Sequence, residues 1–194
     1  MGKYKHTEGI TPFEAYAVQI YTSSGYGIVN AYLRDLDKAL AGYENAKSDN
    51  LRVAFGRKIK ELLADTESRQ LTSAFMSGMT KILNDNKDEP PHVVTRGSHI
   101  PRLIVEGDYF YDAGALSSAL RSNRSGKWAE NPDQLVYVTD QAIDARSFSG
   151  FADEEEFIVM PGTVFKADLV TTYQPVASNT TEQQVIVGRQ ANMK

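Results

Sequence analysis

Asn84-Asp85-Asn86-Lys87-Asp88-Glu89-Pro90-Pro91 is polar from end to end and closes on two prolines. Proline fixes φ and lacks an N–H, so this run suits neither a helix interior nor a central strand. It marks a change of period. Upstream, apolar residues recur every three or four positions; downstream, short β-branched and aromatic segments are parted by Gly, Pro, Asp and Asn. Helices first and strands afterwards define an α+β fold, not alternating βαβ units.

Working backwards, Thr11-Pro12-Phe13-Glu14 is a helix start, with Thr11 as N-cap, proline at the first helical position and glutamate three residues after the cap. Phe13, Tyr16, Ala17, Ile20 and Tyr21 follow at helical spacing. A break is expected at Ser23-Ser24-Gly25, then a second helix with Ile28, Val29, Tyr32, Leu33, Leu36 and Leu40 as its stripe and Gly42 as its stop. Further helices are expected over about 51–64 and 71–83. Working forwards, strands are expected at His92–Thr95, Arg102–Val105, Leu135–Thr139, Glu156–Met160, Val164–Tyr173 and Gln184–Val187.

The 194 residues fit one domain, or a compact domain plus a helical extension, and 41% hydrophobic with 24% charged residues is globular composition. The chain has no cysteine, which excludes disulfides, thiolate metal sites and thiol catalysis. His6, His92 and His99 lack metal-ligand spacing, and no metal site is read. No apolar run reaches membrane-span length, and no signal core follows Met1-Gly2-Lys3-Tyr4-Lys5-His6. The expectation is a cytosolic protein, one exported without a cleavable signal, or a fragment of a larger protein. A net charge of −4 argues against nucleic acid as the main partner, with Arg121, Arg124 and Lys127 as a local basic exception.

Three downstream segments carry candidate chemistry. Val93-Val94-Thr95-Arg96-Gly97 ends an apolar strand in a permanently charged, planar donor fork suited to phosphate, followed by a glycine that permits a turn or the close approach of a ligand. Glu106-Gly107-Asp108 leads to Leu116-Ser117-Ser118-Ala119, whose hydroxyls can fix a carboxylate. Phe151-Ala152-Asp153-Glu154-Glu155-Glu156 runs into Phe157-Ile158-Val159-Met160-Pro161-Gly162-Thr163. Strand alternation puts Glu154 and Glu156 on one face and Glu155 on the other, so two acids can stabilise a cation and orient an attacking group.

In this order the segments resemble the mono-ADP-ribosyltransferases of the Arg-Ser-Glu type. Tyr21-Thr22-Ser23-Ser24-Gly25 through Asn30 and Leu33-Arg34 is similar to the helical stretch that family carries upstream. Phe151-x-x-Glu154-x-Glu156 with Pro161-Gly162-Thr163 is similar to its recognition turn, its Glu-x-Glu and its closing turn. The chain departs from the pattern at Ser117-Ser118-Ala119, where the family has Ser-Thr-Ser, and in the short stretch between Ala119 and Leu135.

The resemblance implies a single domain over 1–194, with a helical part (1–88) packed on a compact two-sheet β core (89–194). It implies NAD⁺ as co-substrate and no metal. Arg96, Gly97, Ser117, Ser118 and Glu156 are the expected cofactor-binding residues, and Glu156, Glu154, Ser117 and Arg96 the catalytic set. Phe151 and Glu154 would meet the acceptor, an arginine of a target protein in a recipient or host cell. A secreted or injected bacterial toxin or effector, with an immunity protein among its partners, fits this reading. Trp128 reads as a core or loop anchor, with stacking on nicotinamide as the alternative. Two alternatives stay open at this point: structured RNA as acceptor, with Arg121, Arg124 and Lys127 as its footprint, and a non-enzymatic interaction module of the same fold.

Overall fold

A computed structural model describes residues 9–98, 103–119, 133–149, 155–173 and 183–193. They form two compact units, Met1–Asp85 and Asn86–Lys194.

The first unit holds α1 (Pro12–Ile20), a π-helical turn (Tyr21–Gly25), α2 (Tyr26–Glu44), α3 (Asp49–Ala64) and α4 (Thr66–Asp85). The start of α1 is the capping box expected from Thr11 and Glu14: Glu14 N donates to Thr11 Oγ1 at 3.3 Å and Thr11 N to Glu14 Oε2 at 2.7 Å. The expected break at Ser23-Ser24-Gly25 does not occur; α1 and α2 are joined through the π turn. Five-residue spacing brings Gly25 back over Ile20, where a Cβ would lie 2.2 Å from Ile20 Cγ2, so the glycine admits this close approach in place of ending the helix. Gly42 is not a stop either. Helix α2 runs past it to Glu44, and the missing side chain leaves room for the Phe55 ring. The stripe of α1 is also rotated from expectation. Ala17, Val18 and Tyr21 are buried, while Phe13 (52%) and Tyr16 (51%) are exposed. Tyr21 stacks on Phe75 of α4 at 4.6 Å between centroids, and its hydroxyl accepts from Asn30 Nδ2 at 3.2 Å.

Glu14 does more than cap. It is 8% exposed and receives Lys81 Nζ at 2.8 Å together with the Ser77 hydroxyl, tying α1 to α4. The Lys81 bond, then Ser77, then the Thr11 N–H hold its pKa down from 4.5 to about 2, against the opposing effect of burial. A depressed carboxylate contributes stability that is fully present above about pH 4.5 and is lost as pH falls toward about 2. We therefore expect Glu14→Gln to lower the thermal midpoint at neutral pH. The gap from wild type should narrow between these two pH values, as read by circular dichroism melts; a constant gap would contradict the assignment.

The second unit is a mixed sheet built from β1 (His92–Ser98), β2 (Tyr109–Phe110), β3 (Leu116–Ala119), β4 (Asp133–Thr139), β5 (Ala142–Asp144), β6 (Glu156–Val159), β7 (Phe165–Tyr173) and β8 (Gln183–Gln190). Their order is β2-β7-β8-β4-β1-β3-β6-β5, with β4 and β8 parallel and every other pair antiparallel. The two-sheet expectation is thus corrected to a single eight-stranded sheet. The reason is the pairing of Thr95 with Ala119, which joins β1 to β3 and makes the two groups of strands continuous. One face carries the core, with Val94, Leu135, Tyr137, Phe157, Val159, Phe165 and Ile186 all buried.

The expected strand over 102–105 is also corrected. Leu103–Val105 hold no ladder, because Val105 N is taken by Asp108 Oδ2 at 3.3 Å and Asp108 N returns to Val105 O at 3.1 Å. Gly107, at φ +90°, makes that turn possible. Gly97, by contrast, makes no turn: it continues β1 opposite Gln134.

Candidate active site

Strand pairing sets Ala119 opposite Glu156 and Ser117 opposite Ile158, so Ser117 and Glu156 are diagonal neighbours on one face. Ser117 Oγ donates to Glu156 Oε1 at 2.6 Å, the short range of a hydroxyl bound to a carboxylate. Glu156 is 6% exposed. Burying a carboxylate costs several kcal/mol unless donors compensate it, and the Ser117 hydroxyl is one such donor. From β1, Arg96 Nη1 donates to the Ser117 carbonyl at 2.8 Å. Arg96, Ser117 and Glu156 are therefore linked in one chain of hydrogen bonds across three strands.

Ser118 turns to the opposite face, as alternation requires, and donates to its own strand at Leu116 O, 3.3 Å away. Gly97 is buried beside Arg96. Glu154 and Phe151 lie outside the described residues, as do Arg121, Arg124, Lys127, Trp128, His6 and His99.

Sequence reasoning passed over several neighbours of this set. Thr95 Oγ1 donates to Ala119 O at 3.1 Å. Tyr137, 2% exposed, packs its ring on Phe165 at 4.4 Å between centroids. Burial pushes the Tyr137 phenol far above its ordinary pKa; the nearby Arg96 charge pulls it back, and Asp112 adds to the rise. Asp112 also ties two turns together, accepting from Gly114 N through its carboxylate and from Gly162 N through its carbonyl, each at 2.8 Å. Strand alternation hints at Tyr137 as core, but nothing local points to Thr95.

Ahead of β6, Ala145 N donates to Glu156 O at 2.9 Å and closes the stem of the segment leading into the strand. Arg146 Nε grips Asp144 at 2.8 and 2.9 Å, and its guanidinium carbon sits 5.9 Å from the Phe157 ring centre. Burial pushes Asp144 up, but the Arg146 hydrogen bonds outweigh it and the carboxyl ends below its ordinary pKa. Arg146 is raised in turn by Asp144 and, to a smaller extent, by Glu155. The backbone carrying Glu156 is fixed on both sides, by β3 and by this stem.

No family model and no curated protein matches the chain. Solved structures do. Exoenzyme S from Pseudomonas aeruginosa, in complex with human 14-3-3 protein beta and bound to carba-NAD, aligns with a TM-score of 0.65 at 16% identity, covering 97% of this chain and 80% of that one. Vis, an ADP-ribosyltransferase from Vibrio splendidus solved with agmatine, aligns at 0.64 and 17% identity over 97% and 79% of the two chains. The C3 exoenzyme of Clostridium limosum aligns at 0.61 and 13% identity over 97% and 89%. The chain has the α+β fold of the bacterial ADP-ribosyltransferase toxins.

Proposed function

We propose that this chain is an Arg-Ser-Glu mono-ADP-ribosyltransferase, one domain over 1–194, that moves ADP-ribose from NAD⁺ to an arginine of a target protein. The observation that carries the reading is the buried Glu156 carboxylate held at 2.6 Å by Ser117, whose carbonyl is gripped by Arg96. These are three of the four residues that the sequence pattern nominates as catalytic. Support also comes from exoenzyme S, a structural neighbour bound to carba-NAD, and from Vis, bound to agmatine, a guanidinium compound.

In this reading the ribose–nicotinamide bond breaks with its electron pair leaving on nicotinamide, and positive charge develops on the sugar. Glu156 faces that charge, and Ser117 holds the carboxylate so that no reorganisation is needed as the charge appears. Arg96 and Gly97 meet the phosphates. A guanidinium nitrogen of the acceptor then bonds to the sugar carbon and gives its proton to Glu154, with Phe151 against the target surface. The protein works in the cytoplasm of a recipient or host cell after secretion or injection.

The test is to incubate the protein with isotope-labelled NAD⁺ and candidate lysates and to map the label by mass spectrometry. One ADP-ribose on a defined arginine, with matching nicotinamide release, is expected. Neither label nor nicotinamide with any lysate would overturn the reading.

A further inference from the structure

We infer that Thr95 is a positioning residue for Glu156, acting through the seam between β1 and β3; this deepens the transfer reaction proposed above and rests on it. The seam differs from its neighbours. Strand β1 pairs with β4 from His92 to Ser98, and β3 pairs with β6 from Leu116 to Ala119. Between β1 and β3, the described residues register at Thr95↔Ala119 alone. Continued in the antiparallel sense, the ladder would set Gly97 against Ser117. The described register stops short of that pair, and the Ser117 carbonyl accepts from the Arg96 guanidinium at 2.8 Å. One position earlier, the Thr95 hydroxyl takes the Ala119 carbonyl at 3.1 Å.

Two adjacent side chains of β1 thus grip two carbonyls of β3, one at the Thr95↔Ala119 pair itself and one at Ser117 beyond it. Both gripped residues border Glu156. Ser117 bonds Glu156 Oε1 directly, and Ala119 is the register partner of Glu156.

The two grips differ in what else they must do. Arg96 is also the proposed holder of the NAD⁺ phosphates, so its hydrogen bonds are shared once the co-substrate enters. Thr95 carries a hydroxyl with no charge to offer a phosphate, and its bond to β3 is independent of the ligand. Together with the backbone pair at the same position, it keeps β3, and with it Ser117 and Glu156, in place through the reaction. Displacements well under 1 Å at a charge-stabilising carboxylate are costly in rate.

The experiment compares Thr95→Val, which keeps the shape and removes the donor, with Thr95→Ser, which keeps the donor. Steady-state nicotinamide release is measured alongside amide hydrogen exchange. For Thr95→Val we expect kcat to fall roughly fivefold to tenfold, the worth of one hydrogen bond, with KM for NAD⁺ within about twofold because Arg96 is untouched. Thr95→Ser should recover most of the lost kcat. Exchange at Leu116–Ala119 should quicken in Thr95→Val and stay unchanged in β4 and β8. Wild-type kcat in Thr95→Val, equal impairment in Thr95→Ser, or unaltered exchange in β3 would each overturn the inference. If the wild type releases no nicotinamide, the transfer proposal fails by itself, and the exchange measurement still decides whether Thr95 holds the seam.

Discussion

Exchanging Glu156 for glutamine will slow nicotinamide release by roughly 10²–10³-fold, the usual worth of a preorganised charge facing a developing one. The swap keeps the size of the side chain and leaves an amide oxygen to accept from Ser117 Oγ, now 2.6 Å from Glu156 Oε1. It removes only the charge. A neutral amide is cheaper to bury than a carboxylate at a position 6% exposed, so the variant should melt no earlier than wild type. Rate and thermal midpoint measured on the same preparation separate lost chemistry from lost fold. Wild-type release by a folded Glu156→Gln protein would remove the basis of the enzymatic reading.

Glu154→Gln should have a different signature. A free guanidinium has a pKa above about 12 and stays protonated, so attack through its nitrogen needs a group to take the proton. Losing a general base typically costs on the order of 10²–10⁴ in rate, and transfer to arginine should fall by that much. In the proposed mechanism hydrolysis of NAD⁺ uses water and depends on Glu156 but not Glu154, so it should stay within a few-fold of wild type. Following labelled acceptor and nicotinamide in one reaction gives both rates. Equal loss of the two would contradict the division of roles between these carboxylates.

What was legible in the sequence was mostly local. The capping box at Thr11 and Glu14 depends on four consecutive residues, and the change from helix to strand depends on Pro90-Pro91; both are as expected. Strands β4, β6, β7 and β8 were legible from their β-branched and aromatic runs. Strands β2, β3 and β5 are absent from that expectation, because runs of two to four residues are too short to show alternation. The π turn was misread as a break because Ser-Ser-Gly is turn chemistry in most settings, and only the clash a side chain at Gly25 would make with Ile20 shows why glycine stands there. The single sheet was hidden for a different reason. Its continuity rests on Thr95 meeting Ala119, a pairing between distant segments that leaves no local mark. At the site, the order of Arg96, Ser117 and Glu156 was legible as a pattern, while the contacts of Thr95, Tyr137 and Asp112 around them depend on how strands are stacked side by side.

The place of β8 bears on how this chain is made. It is the last of the described strands in sequence, yet it lies inside the sheet, parallel to β4 and antiparallel to β7. A ribosome therefore releases β1 to β7 before the strand that unites them exists, and until then β4 and β7 present raw edges able to recruit other chains. Stopping translation short of Gln183 would not yield a smaller version of the sheet. It would leave the β2–β7 ladder severed from β4-β1-β3-β6-β5, and expression trials on shortened versions should meet aggregation before they meet loss of activity.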